Sequence, residues 1–186
     1  APPYTQMGKV LISDTLTQEP DMDIPRIGVV GMGGFAQTHR RYVAQVEEAG
    51  LGRQVAQVAI PTDQERYAAD LADLRGRGVE VFASLRQMLA QLHGQLEIVC
   101  IPTGIPLHRP MTVMALEAGC HVLVEKPAAG SIQDFDAMER ARQQAGRHCA
   151  VGYQHLYRPE VKQLKELVCQ GKLGKISDFK IRVSVA

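Results

Sequence analysis

The chain has 186 residues and a mass of 20.4 kDa, enough for one ordinary domain or for one domain and part of another. Hydrophobic residues make up 45% and charged residues 22%, which excludes a disordered tail. A formal net charge of +1 excludes the strong basic excess of a nucleic-acid footprint, and no apolar run reaches the ~18 residues of a membrane span.

Residues 1–25 carry four prolines and several acidic residues and are expected to form an N-terminal arm outside the main fold. From Arg26 the pattern changes. Ile27-Gly28-Val29-Val30 reads as a short strand, ended by Gly31-Met32-Gly33-Gly34. A helix follows with Tyr42, Val43 and Val46 on one face, stopping near Gly50. Val55 to Ile60 reads as a second strand, and Tyr67, Leu71 and Leu74 recur at helical spacing. Val79 to Phe82 is a third strand. Ser84 then caps a helix whose buried stripe is Leu85, Met88, Leu89 and Leu92.

Ile98 to Ile101 is a continuous apolar run, as expected of a strand covered on both faces. Pro110 is expected to start a helix that ends at Gly119, with proline just inside the start and glycine past the end. His121 to Val124 is a fifth strand. Ser131 caps a helix with Ile132, Phe135 and Met138 on its apolar face and Gly146 at its end, and Cys149 to Val151 is a sixth strand. Strand and helix alternating with short connections imply right-handed crossovers and a Rossmann-type, doubly wound parallel α/β sheet over residues 26–151.

Residues 152–186 differ. Pro159 opens a helix with Val161, Leu164, Leu167 and Val168, closed by Gly171. Phe179, Ile181, Val183 and Val185 then alternate with polar residues, the period of a half-buried strand. A strand needs partners for its backbone groups, so this stretch is expected to begin a second, incomplete α+β domain.

The four cysteines, Cys100, Cys120, Cys149 and Cys169, form no CxxC pair. They read as buried free thiols of a cytoplasmic protein. The six histidines include no HExxH set, and no metal site is expected. His39 falls on the first helix, near any ligand of the glycine-rich turn. His155 reads either as a junction residue or as a stand-in base.

Gly31-Met32-Gly33-Gly34-Phe35-Ala36 fits G-x-G-x-x-[GA] directly after a strand and before a helix. That context gives the pattern its meaning. Gly31 permits the sharp turn, Gly33 lets a diphosphate approach the backbone, and Ala36 lets the helix pack close to the strand. Free N–H groups at the helix start suit an anion. A ribose-binding acid is expected at the end of the second strand, but Pro61 stands there and Asp63 follows two places later. Three readings remain open. Asp63 reaches the ribose, Thr62 and Arg66 accommodate a 2′-phosphate, or Asp63 and Arg66 merely solvate a helix.

Glu125-Lys126-Pro127 ends the fifth strand, on the rim where open parallel sheets bind ligands. Lys126 there can hydrogen-bond a substrate hydroxyl and stabilise a developing alkoxide. A surface lysine paired with Glu125 is the bland alternative.

The stretches 26–39, 101–108 (IPTGIPLH), 114–127 (with ALEAG-C-HVLVEKP) and 151–176 (VGYQHLYRPEVKQLKELVCQGKLGKI) resemble the glucose–fructose oxidoreductase, inositol dehydrogenase and MocA family. The resemblance implies an NAD- or NADP-dependent dehydrogenase of sugars, polyols or related small molecules, homo-oligomeric through its C-terminal sheet. It implies that Lys126 orients substrate and assists proton transfer. Pro102, Thr103 and His108 would line the adenosine and diphosphate side, Glu125 and Pro127 the nicotinamide pocket, and Tyr153 and Gln154 its far end. Three departures stand out: Pro61 at the acidic position, Leu156 where the family has arginine with Arg158 two places later, and no downstream Asp and His. They keep a second expectation in view, a non-catalytic nucleotide-binding sensor or scaffold.

Overall fold

The computed structural model describes residues 24–180. Six parallel strands form one sheet: β1 (Arg26–Val30), β2 (Arg53–Val58), β3 (Glu80–Phe82), β4 (Ile98–Ile101), β5 (His121–Val124) and β6 (Cys149–Val151). Their order is β3-β2-β1-β4-β5-β6, the Rossmann arrangement with its crevice where the winding reverses, between β1 and β4. The expected fold class is thus the observed one.

The connecting helices are α1 (Phe35–Glu48), α2 (Pro61–Arg66), α3 (Ala68–Gly76), α4 (Leu85–Gln91), α5 (Ile105–Glu117) and α6 (Ile132–Ala145). Alternation along β1 sorts the layers. Val29 packs with Val43 of α1 and Cys100 of β4, whereas Val30 packs into the larger cluster of Met88, Leu116 and Met138 supplied by α4, α5 and α6. Gly28 leaves room on the second face, since a Cβ there would lie 3.0 Å from Met88 Cε. A third cluster joins Met32, Ala59 and Val79 to Leu71 and Leu74 of α3.

The caps follow the sequence. Ser84 Oγ accepts from Gln87 N–H at 3.2 Å and Ser131 Oγ from Asp134 N–H at 3.1 Å. Gly146 closes α6 at φ 63°, a left-handed cap that glycine adopts without strain.

Four details differ from the sequence reading. β2 ends at Val58 rather than Ile60, because a helix already begins at Pro61. The stretch after it is broken at Tyr67, whose φ of −114° and ψ of 34° separate α2 from α3. α5 starts at Ile105 with Pro106 in its first turn, so Pro110 lies inside the helix, where it has no N–H to donate to the Pro106 carbonyl. On α6 the buried residues are Met138 and Ala141, while Ile132 is 73% exposed.

After β6 a 3₁₀ turn (Gln154–Tyr157) leads to α7 (Pro159–Cys169), which buries no residue. The expected final strand lies mostly outside the described residues, and 177–180 are irregular. The N-terminal arm also lies outside them, apart from 24 and 25. No described helix is long and apolar enough to cross a membrane.

The cysteines are all free, but not all buried. Burial pushes the Cys100 thiol up to about 12 and the Cys120 and Cys149 thiols to about 11, whereas Cys169 is exposed on α7. Thiolate is the reactive form, so a native thiol titration is expected to consume Cys169 first and Cys100 only on unfolding. Rapid native labelling of Cys100 would contradict the packing of β4.

Candidate cofactor and substrate site

The glycine-rich turn stands at the carboxyl end of β1. Gly31 takes φ 91° and Gly34 φ 55°, values that side chains with a Cβ rarely adopt. Gly31 is held from both sides: its N–H donates to Val58 O at 2.9 Å, and Gln57 Nε2 donates to its carbonyl at 2.7 Å. Gln57 is fully buried, and sequence reasoning missed it because a polar residue inside an apolar strand carries no pattern.

Ala36 is buried and sits close to Gly31, where an added Cβ would be 3.6 Å from its own. Its amide donates to Gly33 O at 3.1 Å. The amides of Gly33, Gly34 and Phe35 have no partner among the described residues. Met32 turns its side chain into the core, fully buried against Ala59 and Leu71, so only its main chain faces the turn.

The Glu125-Lys126-Pro127 loop stands on the same rim, with a cis bond before Pro127. Lys126 Nζ lies 5.9 Å from the centroid of the Phe35 ring, so the two motifs meet. The bland pairing of Lys126 with Glu125 is not what forms. Glu125 is 6% exposed, and its carboxylate accepts from Lys126 N–H at 3.0 Å and faces His39 Nε2 at 2.9 Å. Gly152 makes room for it: a Cβ there would be 2.6 Å from Glu125 Oε1. Glu125 is therefore an internal tether of the lysine loop, and it also borders a cleft beside α1.

A second histidine braces the loop from the opposite face of the sheet. His108, on α5, is 1% exposed and stands 2.9 Å from both Thr103 O and Pro127 O. It joins the β4–α5 loop to the lysine loop. Pro102 is buried beside it, and the Thr103 hydroxyl is buried with no hydrogen-bond partner.

The remaining candidates are more peripheral. Thr62 and Arg66 are exposed and Asp63 is half-buried on α2. Arg66 lays its guanidinium over the Tyr67 ring, 5.5 Å from the centroid. Tyr153 is half exposed, and Gln154 borders an apolar cleft of ≈ 420 Å³ between α1 and the sheet, whose lining includes Phe35, His39 and Glu125. His155 and Leu156 lie exposed on the 3₁₀ turn. Among the described residues, no group of His, Cys, Asp and Glu could hold a metal ion.

A family model described as an oxidoreductase family with an NAD-binding Rossmann fold matches residues 25–153. The chain is 31% identical over 165 residues to 1-carboxy-3-chloro-3,4-dihydroxycyclo hexa-1,5-diene dehydrogenase of Comamonas testosteroni, covering 81% of this chain and 36% of that one. It is 30% identical over 152 residues to D-glucoside 3-dehydrogenase of Escherichia coli K12, covering 81% and 41%. Among solved structures, the WlbA dehydrogenase of Bordetella pertussis, in complex with NADH and UDP-GlcNAcA, superposes with a TM-score of 0.68 at 29% identity, covering 80% of this chain and 43% of that one. The chain thus spans about two-fifths of the length of these relatives.

Proposed function

This chain belongs to the oxidoreductase family with an NAD-binding Rossmann fold, that of glucose–fructose oxidoreductase, inositol dehydrogenase and MocA, and from that premise we propose that it is the cofactor-binding part of an NAD(P)-dependent dehydrogenase. The substrate class is a secondary carbinol or ketone of a sugar, polyol or related small molecule. The observation that carries the reading is the approach of Lys126 Nζ to Phe35, which unites the lysine loop and the glycine turn on one sheet rim.

The residues fit a dinucleotide. The turn is built on two positive-φ glycines and leaves the Gly33, Gly34 and Phe35 amides without protein partners. The Thr103 hydroxyl, just past the end of β4, the neighbour of β1 in the sheet, is buried and also unpaired, a state that buried polar groups seldom keep without a partner. Bound there, the nicotinamide would supply the two-electron acceptor for a hydride from the carbinol carbon, with the O–H proton released to solvent as C=O forms, or the donor for the reverse.

The protein's own part is positioning and charge. Lys126 extends from a loop tied to α1 through Glu125 and His39, and to α5 through His108. Its ammonium hydrogen-bonds the carbinol oxygen and stabilises the negative charge that develops there. Gly33, Gly34 and Phe35 hold the diphosphate by their amides. By the same reading, Thr62, Asp63 and Arg66 lie at the adenosine end and Tyr153 and Gln154 at the nicotinamide end. By the same reading, the full-length protein is cytoplasmic and assembles as a homo-oligomer.

Titration with NADH and NADPH, followed by nicotinamide fluorescence and by thermal shift, tests the cofactor reading. One dinucleotide at 100 times its dissociation constant should stabilise the fold by about 2.7 kcal/mol. Absence of binding by both at millimolar concentration would overturn it. Tight binding with no turnover on a panel of sugars and polyols would instead favour a sensor.

A further inference from the structure

The space above Gly33 is already partly filled. In the usual logic of this turn, its second glycine lacks a side chain so that a diphosphate can come close. Here a Cβ on Gly33 would lie 2.6 Å from Tyr67 Oη and 3.4 Å from Tyr67 Cζ. A phenol hydroxyl therefore stands at the point of closest approach, beside the unpartnered Gly33 amide.

Three observations define that hydroxyl. Tyr67 occupies the junction between α2 and α3, where φ −114° and ψ 34° distort the backbone while its N–H still donates to Asp63 O at 2.9 Å and its side chain stays in the row of Leu71 and Leu74. Its ring is held on two sides, by the Met32, Leu71 and Leu74 cluster and by the Arg66 guanidinium stacked at 5.5 Å. Its Oη makes no hydrogen bond to any described residue. A held ring with a free donor, next to amides that are also free, is complementary to an oxyanion.

We propose that Tyr67 is a cofactor-binding residue whose hydroxyl donates to the diphosphate of the dinucleotide above Gly33. The inference rests on the dinucleotide reading of the turn. A phenol O–H to a phosphate oxygen is charge-assisted and adds a side-chain donor to a cradle otherwise made of main chain. It also gives Gly33 a second reason to be glycine, since even a methyl group would strike the phenol.

The test compares wild type with Tyr67→Phe, which keeps the ring and removes the donor. Binding of NADH is expected to weaken about tenfold, while the melting temperature of the ligand-free protein stays unchanged. ADP-ribose, which carries the diphosphate without nicotinamide, should show the same loss, and adenosine should show none. Equal NADH binding by Tyr67→Phe and wild type would overturn the assignment, as would tighter binding, which would make the phenol an obstruction. So would an equal loss with adenosine, which would make it an adenosine contact. If wild type binds neither NADH nor NADPH, the cofactor reading falls and this proposal falls with it.

Discussion

Lys126→Ala is expected to lower turnover of the natural protein by roughly 10²- to 10³-fold, the range for loss of a positioned donor to a developing oxyanion. The loop that carries Lys126 is anchored by the carboxylate of Glu125 and by His108, not by the lysine side chain itself. The backbone should therefore keep its place and NADH affinity should hold within a few-fold. Lys126→Arg keeps a cation with a different donor geometry and should recover only part of the rate. The measurement is nicotinamide absorbance against a panel of sugars and polyols. Unchanged kcat in Lys126→Ala would remove the lysine from the chemistry.

The second large effect concerns stability. His39 and Glu125 are both about 8% exposed at the side chain and lie 2.9 Å apart, so removal of either strands the other. Leaving a buried hydrogen-bonding group unpaired in this way costs about 1–3 kcal/mol. For a domain of this size, that lowers the melting temperature by roughly 2–12 °C. Glu125→Ala and His39→Ala should each show it, and the double variant should lose much less than the sum. Glu125→Gln keeps an acceptor for Lys126 N–H and should cost less. Strict additivity would mean the two side chains do not act together. The same variants should also loosen the lysine loop, because Glu125 links α1 to the segment carrying Lys126.

Much of this was legible along the chain. Apolar runs at strand length, separated by helical periods with serine caps and terminal glycines, specify the alternation and hence the parallel sheet. The glycine turn carries its own steric logic, which the positive φ of Gly31 and Gly34 bears out. Its position after the fifth strand placed Lys126 on the rim, and the structure brings it against Phe35. Less legible were positions whose meaning depends on what lies across the fold. Only the sheet sets His39 against Glu125 and closes two carbonyls on the His108 ring. Tyr67 keeps the helical row with Leu71 and Leu74 that its spacing gives, and only the fold brings its hydroxyl over Gly33.

The opening numbers gain meaning from the same comparison. With a net charge of only +1, no broad field draws an anionic cofactor to the rim, so local donors must hold it. Local sequence by itself determined which elements form and where they begin and end to within a few residues, because propensity, caps and turns act over one or two helical turns. Tertiary structure alone decided which polar side chains meet: His39 with Glu125, His108 with Thr103 and Pro127, Tyr67 with Gly33. Those contacts join elements far apart in the chain, and only the winding order of the sheet brings them within hydrogen-bond or van der Waals reach.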